Sequence, residues 1–208
     1  MYHELVKKLE LAICDMLMSQ KESILDNLRN ADFDSKFQAI SFDVVSHDEF
    51  TPLSITFGTR ADKNTYINTV ADWKYYYLCR SDQIQSVNVS KAIEAVLEFC
   101  FIDNERDVEK ENVVFFAASQ ALLSKSVWEL YNSWQILVYE EKRSLAERQG
   151  KNLNAINWYI EEASRNMPLL HCIVTDGDLT AEANYCEMIR AIRLLNDHTD
   201  EVIGTIKT

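Results

Sequence analysis

Apolar residues recur every three or four positions through the first 30 residues of the chain. Leu5, Leu9 and Ile13 begin this series, and charged residues lie between them. Because an α-helix has 3.6 residues per turn, such positions share one face of a helix. The pattern predicts an amphipathic helix over residues 3–30.

The period then changes from about 3.6 residues to two. Ile40 and Phe42 alternate with polar residues, and a second alternating run follows a turn at residues 47–50 and ends at Gly58. Successive side chains of a strand point to opposite faces of the sheet, so alternation indicates strands with one face toward the core. We expect a β-hairpin near residues 37–59.

Residues 59–87 fit two structures. Aromatic side chains alternate with other residues at Trp73, Tyr75 and Tyr77. This alternation is typical of a strand, in which those three side chains would be buried and Tyr76 exposed. A helix beginning near Asn64 is also compatible with the segment.

The following part of the chain has mainly helical spacing. Ser90 and Asn104 are candidate N-caps of two helices, because a side-chain oxygen there can accept hydrogen bonds from the first backbone N–H groups. Residues 134–139 fit either a strand or the end of the second helix. Gly150 is a candidate break before another short helix over residues 154–165.

The C-terminal part predicts one strand and one helix. An apolar run near residues 169–175 is typical of a buried strand, and residues 181–195 again show helical spacing. Only 4 Gly and 2 Pro occur among 208 residues, which favours helices over elaborate loops. We therefore predict a helix-rich α+β single domain over residues 1–208. Its small antiparallel sheet would combine the hairpin near 37–59 with the late strand near 169–175, covered by amphipathic helices.

Charge and cysteine content limit the classes of partner. The formal net charge is −12, so nucleic acid and anionic membrane surfaces would be repelled. The 5 cysteines are odd in number and contain no C-x-x-C pair, which predicts reduced, mostly buried thiols. No run is long and apolar enough to span a membrane. We expect a cytoplasmic protein that binds neither nucleic acid nor membrane.

The chain contains no motif that would identify a reaction. It has no glycine-rich phosphate loop, no G-x-S-x-G elbow and no H-E-x-x-H pair, and we expect no cofactor. Asp176 and Asp178 follow the late strand and could contribute to a metal site. The same two carboxylates are more typical of a turn and a helix cap.

Acidic residues cluster in three places: around the hairpin turn, at the start of the predicted second helix and near the C-terminus. Helix capping accounts for part of the second cluster, because carboxylates near a helix N-terminus interact favourably with its dipole. We expect the remaining acidic side chains, with two aromatic anchors, to bind a basic protein partner. The candidate residues are Asp43, Asp48, Glu49, Phe50, Tyr76, Asp103, Glu105, Asp107, Glu109 and Glu111.

Four features together resemble a poorly characterised bacterial α+β family associated with polymorphic-toxin immunity loci. They are the hairpin Phe37–Thr59, the segment Asp72–Lys74, the helix containing Phe115–Ala117 and the late strand that ends in Thr175–Asp178. The resemblance implies an immunity protein that neutralises a basic toxin domain such as a nuclease. The alternative hypothesis is a small enzyme with a carboxylate or metal site at Asp176 and Asp178.

Overall fold

The computed structural model describes residues 1–44, 52–65, 69–102, 105–164, 170–175 and 185–193. These residues form helices packed on a small sheet, which confirms the predicted helix-rich α+β domain. The helices are α1 (Tyr2–Ser19), α2 (Lys21–Asn30), α3 (Arg60–Thr65), α4 (Val87–Cys100), α5 (Val108–Leu122), α6 (Lys125–Arg148), α7 (Asn154–Ser164) and α8 (residues 185–193). The strands are β1 (Ala39–Val44), β2 (Leu53–Gly58), β3 (Tyr75–Arg80), β4 (Phe101–Ile102), β5 (Glu105–Arg106) and β6 (His171–Thr175).

Gln20 divides the first predicted helix into α1 and α2. Its φ of −113° and ψ of 17° lie outside the helical range, so α1 ends at Ser19 and α2 begins at Lys21. The apolar stripe continues across this break, since Leu9 in α1 and Ile24 in α2 are both fully buried. The predicted amphipathic pattern is correct, whereas the prediction of one continuous helix is wrong.

The main sheet has the strand order β3-β2-β1-β6. Strands β1 and β2 pair antiparallel, with Ile40 opposite Phe57 and Phe42 opposite Ile55, as the hairpin prediction requires. The late strand β6 instead pairs parallel to β1. A parallel pair needs a long crossover connection, which the helices between β1 and β6 supply. The sheet is therefore mixed, rather than antiparallel as expected.

Both faces of the central strands are buried. Every residue of β1 and β2 is shielded from solvent, including the polar residues of the alternating pattern. Helices α1, α5 and α6 cover the apolar face, where Phe57 stacks on Tyr131. Val70 and Trp73 pack on the other face against Ala39. The expectation of a half-buried hairpin is wrong because the polar face of both strands is shielded from solvent as well.

The segment between β2 and α4 contains the predicted strand, and no described helix begins near Asn64. The short helix α3 and a 3₁₀ turn at Val70–Asp72 come first, and strand β3 follows. Helix α3 ends at Thr65, close to where the alternative helix was expected to begin, so that alternative is wrong. Tyr75 and Tyr77 lie in β3 as the strand prediction requires, whereas Trp73 lies just before it, at the end of the 3₁₀ turn.

The predicted helix starts are displaced by several residues. Ser86 Oγ accepts hydrogen bonds from the N–H groups of Asn88 and Val89, so Ser86, rather than Ser90, caps α4. Helix α5 is capped by Asp107, rather than by residue 104. Residues 134–139 lie inside the 24-residue helix α6, which excludes the strand alternative.

Gly150 is the predicted break after α6, and this prediction is confirmed. Its φ is +64°, a left-handed conformation that favours glycine. Helix α7 then begins at Asn154. No described helix has the length and hydropathy that crossing a bilayer requires.

Candidate partner-binding groove

Asp107 fixes the start of α5, where the largest predicted acidic cluster lies. Its carboxylate accepts hydrogen bonds from the N–H groups of Glu109 at 3.1 Å and Lys110 at 3.2 Å. The Lys110 ammonium also lies 3.6 Å from Asp107 Oδ2. The side chain of Glu109 is exposed and has no ion-pair partner in the described part of the chain. Asp107 is therefore a helix cap, and Glu109 is available to a partner.

Glu111 is not part of an acidic surface, which corrects the sequence prediction. Its side chain is only 5% exposed. Glu111 lies on the inward face of α5 with Val114, Phe115 and Ala118, which are three, four and seven residues further along the helix. Helical periodicity therefore buries this carboxylate.

Asp43 is likewise removed from the predicted binding surface. It is fully buried on the polar face of β1, where Ser54 Oγ donates a hydrogen bond to its Oδ2 at 2.8 Å and Thr175 Oγ1 donates to its Oδ1. The hydroxyl of Ser41 lies 3.4 Å from that of Thr175. These residues form a buried polar cluster that links β1, β2 and β6.

Tyr76 is partly buried, and the aromatic alternation predicted around it is wrong. A bulge in β3 places Ile55 opposite Cys79 and Phe57 opposite Tyr75, so β3 has two residues more than β2 between these pairs. Tyr77 takes a positive φ of 51° within this bulge. Its ring stacks on Tyr76 at a centroid distance of 3.9 Å. Trp73 alone of the predicted buried aromatics is fully shielded, because the bulge breaks the period of two.

Several predicted residues lie outside the described part of the chain. These are Asp48, Glu49 and Phe50 of the hairpin turn, Asp103, and the possible metal ligands Asp176 and Asp178. Glu105 belongs to β5, and its side chain lies outside the described part as well. Their roles stay predictions.

An open groove of about 370 Å³ lies where α1, α4 and the start of α5 meet. Its apolar lining comes from Leu5, Ala95 and Phe99, because these positions lie at the α1–α4 contact. Glu4 and Glu98 line the same groove from the two helices and are both exposed. Lys8 and Lys110 also line the groove, and each already pairs with a carboxylate, Lys8 with Glu4 and Lys110 with Asp107. The groove therefore combines apolar surface with two carboxylates and two ion-paired lysines.

The carboxylates around this groove differ in their partners. Glu4 pairs with Lys8 at 3.5 Å within α1. Glu94 and Glu98 are exposed on α4, and neither has an ion-pair partner among the residues that the structure describes. Glu94 lies one turn before Glu98 on α4, and Glu109 precedes the lining residue Lys110 on α5, so neither lines the groove itself. We call the groove, together with the neighbouring exposed carboxylates Glu94 and Glu109, the acidic groove.

Sequence reasoning identified Glu109 in the acidic groove but missed Glu4, Glu94 and Glu98. Each of these three lies at an ordinary solvent-exposed helical position. No signal along the chain shows that residues of α1 and α4 come together, since this contact depends on tertiary packing. The acidic run near α5 was detectable only because its members are adjacent in sequence.

The cysteines do not provide a nucleophile. All five are free, and four are buried. Burial raises the pKa of Cys186 to about 11 and the pKa of Cys172 well above its ordinary value. These thiols stay protonated at neutral pH, and the thiolate is the reactive form. The prediction that most thiols are buried is confirmed, and their reduced state in the cell stays a prediction.

No group of three or more His, Cys, Asp or Glu side chains within the described ranges could hold a metal ion. Comparison with protein-family models, curated proteins and solved structures returned no match for this chain. The resemblance to the immunity-locus family and the alternative of an enzyme at Asp176 and Asp178 both stay predictions. Calorimetry with divalent metals, repeated on Asp178→Ala, tests the enzyme alternative.

Proposed function

We propose that this protein binds a basic protein partner through the acidic groove. The proposal rests mainly on one observation: Glu98 is exposed beside Phe99 and Ala95 and has no cationic partner of its own in the described structure. A Lys or Arg side chain of the partner would place its charged group at Glu98. Its aliphatic stem would cover the apolar lining.

The groove suits recognition by charge and burial together. An exposed ion pair contributes only about 0.2–1 kcal/mol, so the carboxylates alone would give weak binding. Apolar contacts with Leu5 and Phe99 would supply further affinity, because buried anchors carry most of the energy of an interface. The carboxylates would mainly raise the association rate and select against acidic partners.

The class of partner that we propose is a basic toxin domain, such as a nuclease, which the protein neutralises as an immunity protein does. The net charge of −12 supports a basic partner, and the resemblance to the immunity-locus family supports the toxin. Five free cysteines suit a reducing compartment, and we propose a cytoplasmic location. Immunity proteins are encoded beside the toxins they neutralise, so the product of the gene directly upstream is the first partner to test.

Co-expression tests the proposed function. The upstream gene product should slow cell growth when it is expressed alone, and the wild-type chain should restore growth. A groove variant that carries Glu4→Lys, Glu98→Lys and Glu109→Lys should lose this protection. A control variant with the same change in charge away from the groove should keep it: Glu22→Lys, Asp26→Lys and Glu147→Lys, all at exposed positions.

Two results would contradict the proposal. Equal protection by the groove variant and the control variant would show that the acidic groove is not the contact surface. Protection without co-purification of the two proteins would show that neutralisation does not require their direct binding. Circular dichroism of both variants confirms that any loss is not due to unfolding.

A further inference from the structure

A second cavity, of about 380 Å³, lies between α6, α7 and the segment that leads into β1. It shares no lining residue with the acidic groove. Its volume is in the range of pockets that bind small molecules. Apolar residues including Leu28, Phe37 and Ile156 form much of its wall.

Three lysines line this cavity, although the chain as a whole is strongly acidic. They are Lys36, Lys63 and Lys142, and none forms an ion pair within the described ranges. Glu141 is next to Lys142 in sequence, but both of its carboxylate oxygens accept hydrogen bonds from Arg29 at 3.1 Å. The cavity therefore has a local positive charge that no carboxylate of the described residues neutralises through an ion pair, although Glu141 acts on Lys142 from a longer distance.

Lys36 and Lys142 converge on one point of the wall. Their ammonium groups lie 5.8 Å and 5.5 Å from the centroid of the Tyr139 ring. Lys142 Nζ also donates a hydrogen bond to the carbonyl oxygen of Leu28 at 2.9 Å. Burial and the nearby Lys36 ammonium lower the pKa of Lys142 to about 8. Two like charges in one partly buried site repel each other, and an anion bound between them would relieve this repulsion.

Two buried polar atoms of the same cavity face each other. Tyr131 and Gln135 are 1% and 4% exposed, and both line the cavity from α6. Gln135 acts on the Tyr131 hydroxyl through a side-chain contact, but Tyr131 Oη and Gln135 Oε1 make no hydrogen bond of good geometry in the described structure. Buried polar groups almost always have a partner, so these two atoms are placed to bond a ligand or an ordered water as well as each other.

An aromatic pair completes the wall. The rings of Tyr139 and Tyr159 stack at a centroid distance of 5.0 Å and an angle of 4°. Their flat surface and the neighbouring apolar side chains suit a planar or hydrophobic group. The cavity thus offers cationic and neutral polar groups on an otherwise apolar wall.

We propose that this cavity binds a small organic anion, a carboxylate or phosphate carried on an aromatic or apolar body. The acidic group lies between Lys36 and Lys142, and the body packs on Tyr139 and Tyr159. The Tyr131 hydroxyl donates a hydrogen bond to the ligand, and Gln135 Oε1 accepts one from a ligand hydroxyl or amine. This site is independent of the acidic groove.

Calorimetry at neutral pH and low salt tests the site with three probes: benzoate, phenyl phosphate and inorganic phosphate. Benzoate or phenyl phosphate should bind the wild-type protein, and the better of the two indicates which acid group the natural ligand carries. Lys36→Met and Lys142→Met should each weaken that binding by about tenfold or more, since each removes a charged contact. Lys91→Met, at an exposed position of α4, is the matched control and should leave binding unchanged.

The proposal is overturned if neither organic probe binds, or if Lys36→Met or Lys142→Met binds it as tightly as the wild type. If inorganic phosphate bound as tightly as phenyl phosphate, the aromatic group would contribute nothing to binding, which would contradict a site for an organic anion. Lys36 lies outside any helix or strand, so its variant stays informative if Lys142→Met does not fold. If these experiments contradict the anion site, the proposed function of the acidic groove is not affected, because the probes and variants concern a separate cavity.

Discussion

Asp43 and Ser54 lie opposite each other in the antiparallel β1–β2 pair, and Ser54 Oγ donates a hydrogen bond of 2.8 Å to the buried Asp43 carboxylate. Thr175 of the parallel strand β6 donates a second hydrogen bond. One carboxylate thus connects three strands on the face of the sheet that the alternating sequence pattern had assigned to solvent. An acidic residue that resembles a surface group in the sequence is a structural residue in the fold.

Asp43→Ala should therefore destabilise the protein strongly. The substitution leaves two buried hydroxyl donors without their acceptor, and we expect a loss of about 3 kcal/mol in the free energy of unfolding. Asp43→Asn keeps an acceptor and should cost less. Urea denaturation measures both variants. Asp26→Ala, at an exposed position of α2, is the control. If Asp43→Ala lowered the free energy of unfolding as little as this control does, a structural role of Asp43 would be contradicted.

Gly58 and Gly150 allow a comparison of steric and conformational effects. A Cβ atom at Gly58 would lie 2.8 Å from Cε3 of Trp73, whose side chain is 2% exposed and cannot move freely. We expect Gly58→Ala to cost about 2–3 kcal/mol through overpacking. A Cβ at Gly150 meets nothing within 4 Å. Gly150→Ala should cost only about 1 kcal/mol, because a residue with a Cβ atom is disfavoured in the left-handed conformation that Gly150 adopts. Equal losses in thermal denaturation would contradict the packing of Trp73 on Gly58.

Asp107 tests how much of the acidic cluster near α5 serves the helix itself. Asp107→Ala removes the acceptor for two backbone N–H groups and should cost about 1 kcal/mol, whereas Asp107→Ser should recover most of it. Glu109→Ala makes no such contact and should change stability by less than about 0.5 kcal/mol. Urea denaturation of the three variants measures these differences. A larger loss for Glu109→Ala than for Asp107→Ala would contradict the assignment of the cap.

The pKa of Lys142 predicts a pH dependence of stability. Its folded pKa is about 8, compared with an ordinary value of 10.5. Between these values the unfolded chain holds a proton that the folded protein has released, so the stability of the wild type should rise with pH across this window. Lys36 and Glu141 are the charged groups that act on Lys142, and Tyr139, whose pKa is raised by burial, stays neutral through most of the window.

The variant Lys142→Met has no amine to titrate at this position. Comparing its stability with that of the wild type therefore isolates the contribution of Lys142 to the pH dependence. Near pH 7 the wild type bears the cost of a charged Lys142 in a partly buried site, and the variant does not. The free energy of unfolding of the wild type should therefore rise relative to that of the variant, by about 1 kcal/mol, as the pH increases from 8 toward 10. This amount is smaller than the full pKa difference implies, because the amine is partly exposed to solvent. Parallel stability curves for the two proteins across this range would contradict a lowered pKa.

The helices and the hairpin were predictable because their signals are local. Leu5, Leu9 and Ile13 share a helical face, and Ile40 and Phe42 share a strand face, whatever the rest of the chain does. The bulge at Tyr77 depends on pairing with β2, which no local pattern shows.

Tertiary contacts decide which acidic residues are available to a partner. Asp43 is buried on the second face of the sheet, where Ser54 and Thr175 of the neighbouring strands bond it, and Glu111 is buried by its phase on α5. Glu98 lies in the acidic groove because α4 packs on α1. Charge counts along the chain therefore predicted an acidic surface but not its members.

The salt dependence of the association rate tests the acidic groove most directly, with the upstream gene product as the partner. The rate constant should fall steeply for the wild type as ionic strength rises. Glu98→Lys should lower the rate at low salt and flatten the dependence, whereas Glu22→Lys, an equal change of charge on α2, should have a smaller effect. An association rate that does not depend on salt, or equal effects of the two substitutions, would contradict binding at the acidic groove.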